Sequence, residues 1–156
     1  MTSGADELRQ RAIAAHGEAW RLLLKSGRTP VESRAMVEAA RDSLRLFEEA
    51  GTPAHRQRGN WIMARVLLEV GSAKALDYAK RTLDLTRENR EALADFDFAF
   101  AEEIAARAFA FGGESERALE HYVAAKSLGQ AIRNPADREE FFRQFGSSPW
   151  FGLEAG

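Results

Sequence analysis

The sequence predicts an all-α protein, an α-solenoid of about three antiparallel helix hairpins followed by a short C-terminal capping helix. Three observations favour this fold class. Apolar residues recur every three or four positions, the four prolines lie where helices begin or have ended, and one arginine–glycine spacing occurs three times. Strand-like alternation of apolar and polar residues is nearly absent.

The composition is that of a globular protein, and its length is that of one domain over residues 1–156. Charged residues make up 29% and hydrophobic residues 45%, enough for a core of several helical layers. The 22 basic and 24 acidic residues are mixed and give a net charge of -2, so a nucleic-acid partner is not expected. The acidic start MTSGADELRQ lacks the pattern of a secretory signal, and no long apolar run occurs. We therefore expect a cytoplasmic protein with no membrane partner.

Three helix starts are marked by a polar capping residue followed by proline. Thr29-Pro30-Val31-Glu32 combines an N-cap threonine, a proline at the first helical position and a glutamate that reaches back to the cap. Thr52-Pro53 and Asn134-Pro135 repeat this pattern. The expected boundaries are hairpins over approximately residues 6–50, 53–88 and 91–130, with a capping helix and tail over 134–156.

Between these starts, apolar residues follow the spacing of one helix face. In the second segment the face contains Met36, Ala39, Ala40, Ser43, Leu44 and Phe47. The stretch DFDFAF from Asp95 alternates like a strand, but its alanine and glutamate neighbours are good helix formers and favour a helix. The sequence predicts six long helices and a shorter seventh from Pro135 to Phe145.

An internal repeat appears when the chain is aligned on three of its glycines. RLLLKSG ends at Gly27, RVLLEVG at Gly71 and RAFAFGG at Gly113, with glycine spacings of 44 and 42 residues. An arginine stands six residues before each glycine. A period in this range, with a helix on each side of the glycine, is typical of a helical solenoid.

The second and third repeats carry a pattern that resembles the tetratricopeptide repeat, in its long-helix variants, whereas the first repeat is recognisable mainly through its arginine and glycine. The best-matching repeat contributes Ala106, Phe109, Gly113, Ala118, Leu119, Tyr122, Ala125 and Leu128. The middle repeat contributes Ala64, Leu67, Gly71, Ala75, Leu76, Ala79, Leu83 and Leu85, with one residue missing after its glycine. The resemblance covers roughly residues 8–129 and implies a right-handed solenoid with a concave groove. Small residues would let its helices approach closely.

The resemblance places the three arginines at one position on the groove-lining helix of each hairpin. Glu69 falls at another groove-facing position, and the predicted peptide-binding residues are Arg21, Arg58, Trp61, Arg65, Glu103 and Arg107. Planar guanidiniums beside an aromatic ring suit carboxylates or an acidic peptide. In the alternative interpretation, each arginine pairs with a glutamate of the next repeat and lays its stem over the core.

The tail SSPWFGL concentrates Trp150, Phe151 and Leu153 beyond the last predicted helix. It either folds back across the final repeat or docks into a neighbouring molecule. The second alternative predicts an assembly or regulatory module that self-associates, so both a monomer and a homodimer remain open.

The motifs of metal, nucleotide and nucleophile sites are missing. The histidines lack metal-ligand spacing, and no phosphate loop or nucleophile elbow occurs. We therefore expect no metal, no cofactor and no catalytic residue, and a non-enzymatic binding scaffold. An enzyme that acts on a small anionic substrate, between the arginines and the acids near Asp97, is a further hypothesis.

Overall fold

The computed structural model describes residues 3–153, which form seven α-helices and no strand. The helices are α1 (Gly4–Leu24), α2 (Pro30–Ala50), α3 (Pro53–Glu69), α4 (Ala75–Glu88), α5 (Asp95–Phe111), α6 (Ser115–Gln130) and α7 (Pro135–Phe145). The predicted all-α class and the seven helices are confirmed. Residues 1, 2 and 154–156, which belong to the predicted N-terminal segment and tail, lie outside the described range. No helix within residues 3–153 is long and apolar enough to cross a membrane.

The helix starts at the three prolines follow the predicted capping chemistry. The Thr29 side chain accepts a hydrogen bond from the Glu32 N–H, and the Glu32 carboxylate accepts one from the Thr29 N–H. At Thr52 the returning acceptor is Nδ1 of His55. Asn134 caps α7 through its side-chain oxygen. Each cap satisfies backbone donors that the first helical turn leaves unpaired.

A 3₁₀ turn at Arg90–Ala92 precedes α5, which starts at Asp95. The reason is the carboxylate of Asp97, which accepts a hydrogen bond from the Ala94 N–H at 3.0 Å and so caps the helix at this point. The stretch from Asp95 that alternates like a strand is helical, as predicted.

Two of the three repeated glycines, Gly71 and Gly113, end helices by adopting a left-handed backbone conformation, whereas Gly27 lies beyond the extended C-cap residue Lys25 of α1. The φ angles of Gly71 and Gly113 are 71° and 79°. The N–H of Ser72 reaches the carbonyl of Leu67, and the N–H of Gly71 reaches that of Leu68, which is the hydrogen-bond pattern of a Schellman C-cap. The repeat period seen in the sequence therefore has a physical cause, because residues with a Cβ are strained at these angles.

We expect Gly71→Ala to lower the free energy of unfolding by about 1–2 kcal/mol, the cost of a left-handed L-residue. No atom lies within 4 Å of the Cβ that it would add, so the loss is one of backbone conformation alone. Gly17→Ala is the matched control, because this Cβ would also meet open space but within α1. It should stabilise the protein by about 0.5–1 kcal/mol. Urea denaturation measures the unfolding free energy of both variants. Changes of the same sign in the two variants would contradict this explanation.

The helices contact one another in an ordered way. Sequential neighbours pack together, as α1 with α2, α3 with α4 and α5 with α6. The odd-numbered helices also pack together, α1 with α3, α3 with α5 and α5 with α7. Ala64, Ala106 and Ala118, where small residues were expected at helix contacts, are fully buried. The odd-numbered helices thus share a side of the molecule, which we call the odd-helix face.

Candidate functional site

Residues 146–153, which we call the tail segment, fold back onto the odd-helix face. The indole of Trp150 is only 3% exposed, and its N–H donates to the carbonyl of Phe145 at 2.8 Å. Its ring also packs edge-on against Tyr122 and Phe145. The sequence left two alternatives for the tail, and in the structure the tail segment folds back onto its own chain.

Two predicted arginines hold this tail segment through its main chain. Arg107 donates to the carbonyls of Ser147 and Pro149 in the tail segment at 3.0 and 2.8 Å, and to that of Gln144 in the last turn of α7 at 2.8 Å. Arg65 donates to the carbonyl of Ser148 at 3.1 Å. The guanidinium of Arg107 also lies 4.0 Å from the centre of the Trp150 ring, a cation–π contact. We call the surface formed by Arg65, Glu103 and Arg107 the tail site.

A buried ion pair holds the guanidinium of the tail site in position. Arg107 donates through Nε to the carboxylate of Glu103, and both side chains are almost fully buried. The other oxygen of Glu103 accepts from the indole N–H of Trp61 at 2.8 Å. Burial lowers the pKa of Arg107, and the nearby carboxylate opposes this change. Two predicted residues, Trp61 and Glu103, therefore position the guanidinium that binds the tail segment.

Arg65 belongs to a second group of charges. It pairs with Glu69 one turn later in α3 at 2.8 Å, and Glu69 also accepts from Arg28 at 2.8 Å. The same guanidinium of Arg28 donates to carbonyls at the end of α1, including that of Leu22. The sequence singled out Arg65 and Glu69. Arg28 carries no signal in the repeat, because it lies outside the arginine–glycine spacing.

The third arginine of the repeat differs from the other two. Arg21 pairs with Glu18 in its own helix, and its side chain is 61% exposed, whereas those of Arg65 and Arg107 are 5% and 0% exposed. The three arginines therefore do not form the expected surface of exposed guanidiniums, because two of them are buried. The alternative pairing with the next repeat does not occur either, because the carboxylate partner of each arginine lies in the same helix.

A pocket of about 210 Å³ opens on the odd-helix face, lined by three helices. We call it the aromatic pocket. Its lining residues are His16 and Trp20 of α1, Gln57, Arg58 and Trp61 of α3, and Phe96, Asp97 and Phe100 of α5. Trp20 and Trp61 stack with ring centres 5.1 Å apart, and Phe100 meets Trp61 edge-on at 5.4 Å. The pocket is thus walled mainly by aromatic rings.

The charged groups of the aromatic pocket neutralise one another. Arg58 donates twice to the carboxylate of Asp97, at 2.9 and 2.8 Å, and these hydrogen bonds raise the pKa of Arg58. The guanidinium also lies 5.2 Å from the ring centre of Phe96. Burial, with Arg58 and His55 nearby, lowers the pKa of His16 to about 4. At neutral pH the pocket therefore presents no unpaired charge, which favours an uncharged apolar occupant.

No protein-family model, curated protein or solved structure matches this chain. Within residues 3–153, no group of three or more histidine, aspartate or glutamate side chains is placed to hold a metal ion. The candidate site consists of the aromatic pocket and the tail site, which are joined through Trp61.

The structure brings five of the six predicted site residues to these two sites. Arg58 and Trp61 line the aromatic pocket, while Arg65, Glu103 and Arg107 form the tail site. The pocket residues that sequence reasoning missed are His16, Trp20, Gln57, Phe96 and Phe100. Their aromatic members lie on apolar helix stripes, and such stripes do not separate a pocket wall from a core contact.

The His16 pKa predicts a specific dependence of stability on pH. Below pH 6.5 the unfolded state binds a proton on this ring, but the folded state binds it only near pH 4. The unfolding free energy should therefore fall as pH falls through this window, by up to about 1.4 kcal/mol per pH unit. His16→Gln removes this contribution, so urea midpoints of wild type and variant should converge toward pH 4. Parallel profiles would contradict the assignment. The pKa of His55 is lowered as well, but this effect is common to both proteins.

Proposed function

We propose that the protein is a non-enzymatic scaffold, a right-handed solenoid of tetratricopeptide type that binds a peptide or protein segment on the odd-helix face. Three features support this fold type. Each helix contacts the next one in the chain and the odd-numbered helices contact one another, Gly71 and Gly113 end the first helices of two pairs, and the alanines of the repeat pattern are buried. Stacked helix pairs of this kind leave an extended face for a partner.

One observation carries the binding function: an aromatic pocket lies on the face that already holds the tail segment. An apolar cavity of about 150 Å³ accommodates a benzene ring, so the volume of about 210 Å³ is sufficient for one large side chain. Aromatic anchors seated in preformed pockets contribute strongly to peptide recognition. The aromatic pocket is therefore the proposed anchor site.

The charges of the site favour an apolar anchor over an acidic partner. Arg65 and Arg107 are buried and bound to carboxylates and carbonyls, while Arg58 is neutralised by Asp97. No guanidinium of the pocket and tail site is thus left to recruit acidic side chains. We propose a partner with one aromatic or large aliphatic residue at its centre.

Selection from a library of displayed random peptides tests this proposal. Enriched peptides should share an aromatic or large aliphatic residue, and calorimetry should show an affinity loss of tenfold or more for Trp20→Ala. Val123→Ala is the control, because Val123 is exposed on α6 away from the pocket lining. Circular dichroism verifies that both variants are folded. Absence of enrichment, or equal affinity for Trp20→Ala and wild type, would reject the function.

A further inference from the structure

Gln57 is a polar residue in a pocket whose walls are mainly aromatic rings. Its side chain is buried, only 1% exposed, and it lines the aromatic pocket beside Trp61. We propose that its amide oxygen binds a hydrogen-bond donor on the anchor residue, so that the pocket selects the phenol ring of a tyrosine over phenylalanine or an aliphatic side chain. This selectivity rests on the proposed function, because it narrows the anchor of the partner from any large apolar residue to one.

The orientation of the Gln57 amide is fixed by two acceptors. The amide nitrogen donates to Oγ1 of Thr86 and to the main-chain carbonyl of Asp97, both at 3.1 Å. A carbonyl can only accept, and the Thr86 hydroxyl already donates its proton to the carbonyl of Thr82 at 2.6 Å. Both partners therefore require the NH₂ group. The amide cannot turn over without losing both hydrogen bonds, so the position of its oxygen is fixed as well.

The amide oxygen of Gln57 is an acceptor without a donor. Within residues 3–153 its nitrogen makes both hydrogen bonds of this side chain, although the oxygen has two lone pairs. The oxygen is not one of the polar side-chain atoms that are sealed in the interior without a partner, which are His16 Nδ1, Arg28 Nε and Asn60 Oδ1. Because Gln57 lines the aromatic pocket, a group inside the pocket can reach this oxygen.

The other acceptors of the pocket are engaged by the protein itself. Nε2 of His16 accepts the indole N–H of Trp20 at 3.2 Å. The carboxylate of Asp97 accepts two hydrogen bonds from Arg58, at 2.9 and 2.8 Å. A ligand that brings a donor into the pocket is therefore expected to bind it to Gln57.

A tyrosine side chain matches this combination of aromatic walls and one acceptor. Its ring packs well against other aromatic rings, and its hydroxyl supplies the donor. The hydroxyl lies at the end of the ring farthest from the main chain. A ring that enters past the partly exposed Arg58 thus carries it toward the buried Gln57. Phenylalanine or leucine would cover the amide oxygen without bonding it, which costs the desolvation of that oxygen.

The probes are p-cresol, the side-chain analogue of tyrosine, and 4-fluorotoluene, which has nearly the same size but no donor. Each is titrated into the full-length ¹⁵N-labelled chain. The indole signals of Trp20 and Trp61 report binding, and Trp150, which does not line the pocket, is an internal reference. Wild type should bind p-cresol about threefold or more tightly than 4-fluorotoluene. In Gln57→Met, which keeps the length of the side chain but lacks the amide, this preference should fall by about tenfold.

Thr86→Val is the matched control for the loss of structural hydrogen bonds. It breaks one hydrogen bond of Gln57, but the carbonyl of Asp97 still holds the amide nitrogen and the amide oxygen stays in place. This variant should keep the wild-type preference for p-cresol. An unchanged preference in Gln57→Met would overturn the inference, because another group would then bind the hydroxyl.

Wild type alone also decides, so a variant that does not fold leaves the test intact. If wild type binds 4-fluorotoluene as tightly as p-cresol, or if p-cresol moves neither indole signal, the tyrosine anchor is wrong. The displayed peptides test the proposed function separately. Enriched peptides with phenylalanine or leucine anchors, together with no preference for p-cresol, would reject the tyrosine anchor and leave peptide binding at the pocket standing.

Discussion

Arg107→Ala is expected to lower the free energy of unfolding by about 3–5 kcal/mol, the typical cost of removing one partner from a buried ion pair. Arg107 and Glu103 are both almost fully buried, so the variant leaves a carboxylate without its cation. The carbonyls of Gln144, Ser147 and Pro149 lose their donor at the same time. A loss of this size is a large fraction of the stability of most domains.

The repeat itself supplies the matched control. Arg21 stands at the same distance from its glycine as Arg107, but its pair with Glu18 is exposed. Arg21→Ala should leave the urea midpoint unchanged, since exposed ion pairs within one helix contribute little. Equal losses for the two variants would show that position in the repeat, rather than burial, determines the role of these arginines.

Features with local causes were predictable from the sequence. The cap at Thr29 depends on residues three positions apart, and the turn at Gly71 on the backbone freedom of one residue. Such signals lie within a few neighbouring positions. The start of α5 carries no such signal, because an alanine occupies the cap position and the carboxylate of Asp97 replaces the usual capping side chain.

Burial of the arginines was not predictable, because it depends on residues far along the chain. Arg65 and its acceptor Ser148 are 83 residues apart, and Arg107 and Pro149 are 42 apart. The repeat placed both arginines on a shared face but contained no information on what covers them. The aromatic pocket was not predictable for the same reason, because α1, α3 and α5 meet there only in the folded chain.

Trp150→Ala is expected to cost about 3 kcal/mol, within the range for a large aromatic side chain that is replaced in a core. The indole is buried, donates to the carbonyl of Phe145 and stacks on Arg107. The loss has an upper limit, however. Because Trp150 lies in the tail segment, outside the seven helices, its removal can cost at most the free energy with which residues 146–153 dock.

This limit separates Trp150→Ala from Arg107→Ala. In Trp150→Ala the ion pair of Arg107 and Glu103 remains intact after the tail segment has undocked. The helices of this variant should therefore still unfold in one cooperative transition. In hydrogen exchange, residues 146–153 should lose protection while α3 and α5 keep theirs. Loss of protection throughout α5 would mean that the segment is part of the cooperative core.

Phe151→Ala provides the control for side-chain size next to this position. The Phe151 ring is 37% exposed and meets Phe111 with ring centres 5.1 Å apart, so its removal should cost about 1 kcal/mol or less. Its φ of 54° is strained for phenylalanine and alanine alike, and the backbone contribution therefore cancels. Equal costs at the two positions would indicate that the tail is held by its general apolar character. A large cost confined to Trp150 supports one aromatic anchor seated on Arg107, because only that ring is both buried and placed against the guanidinium.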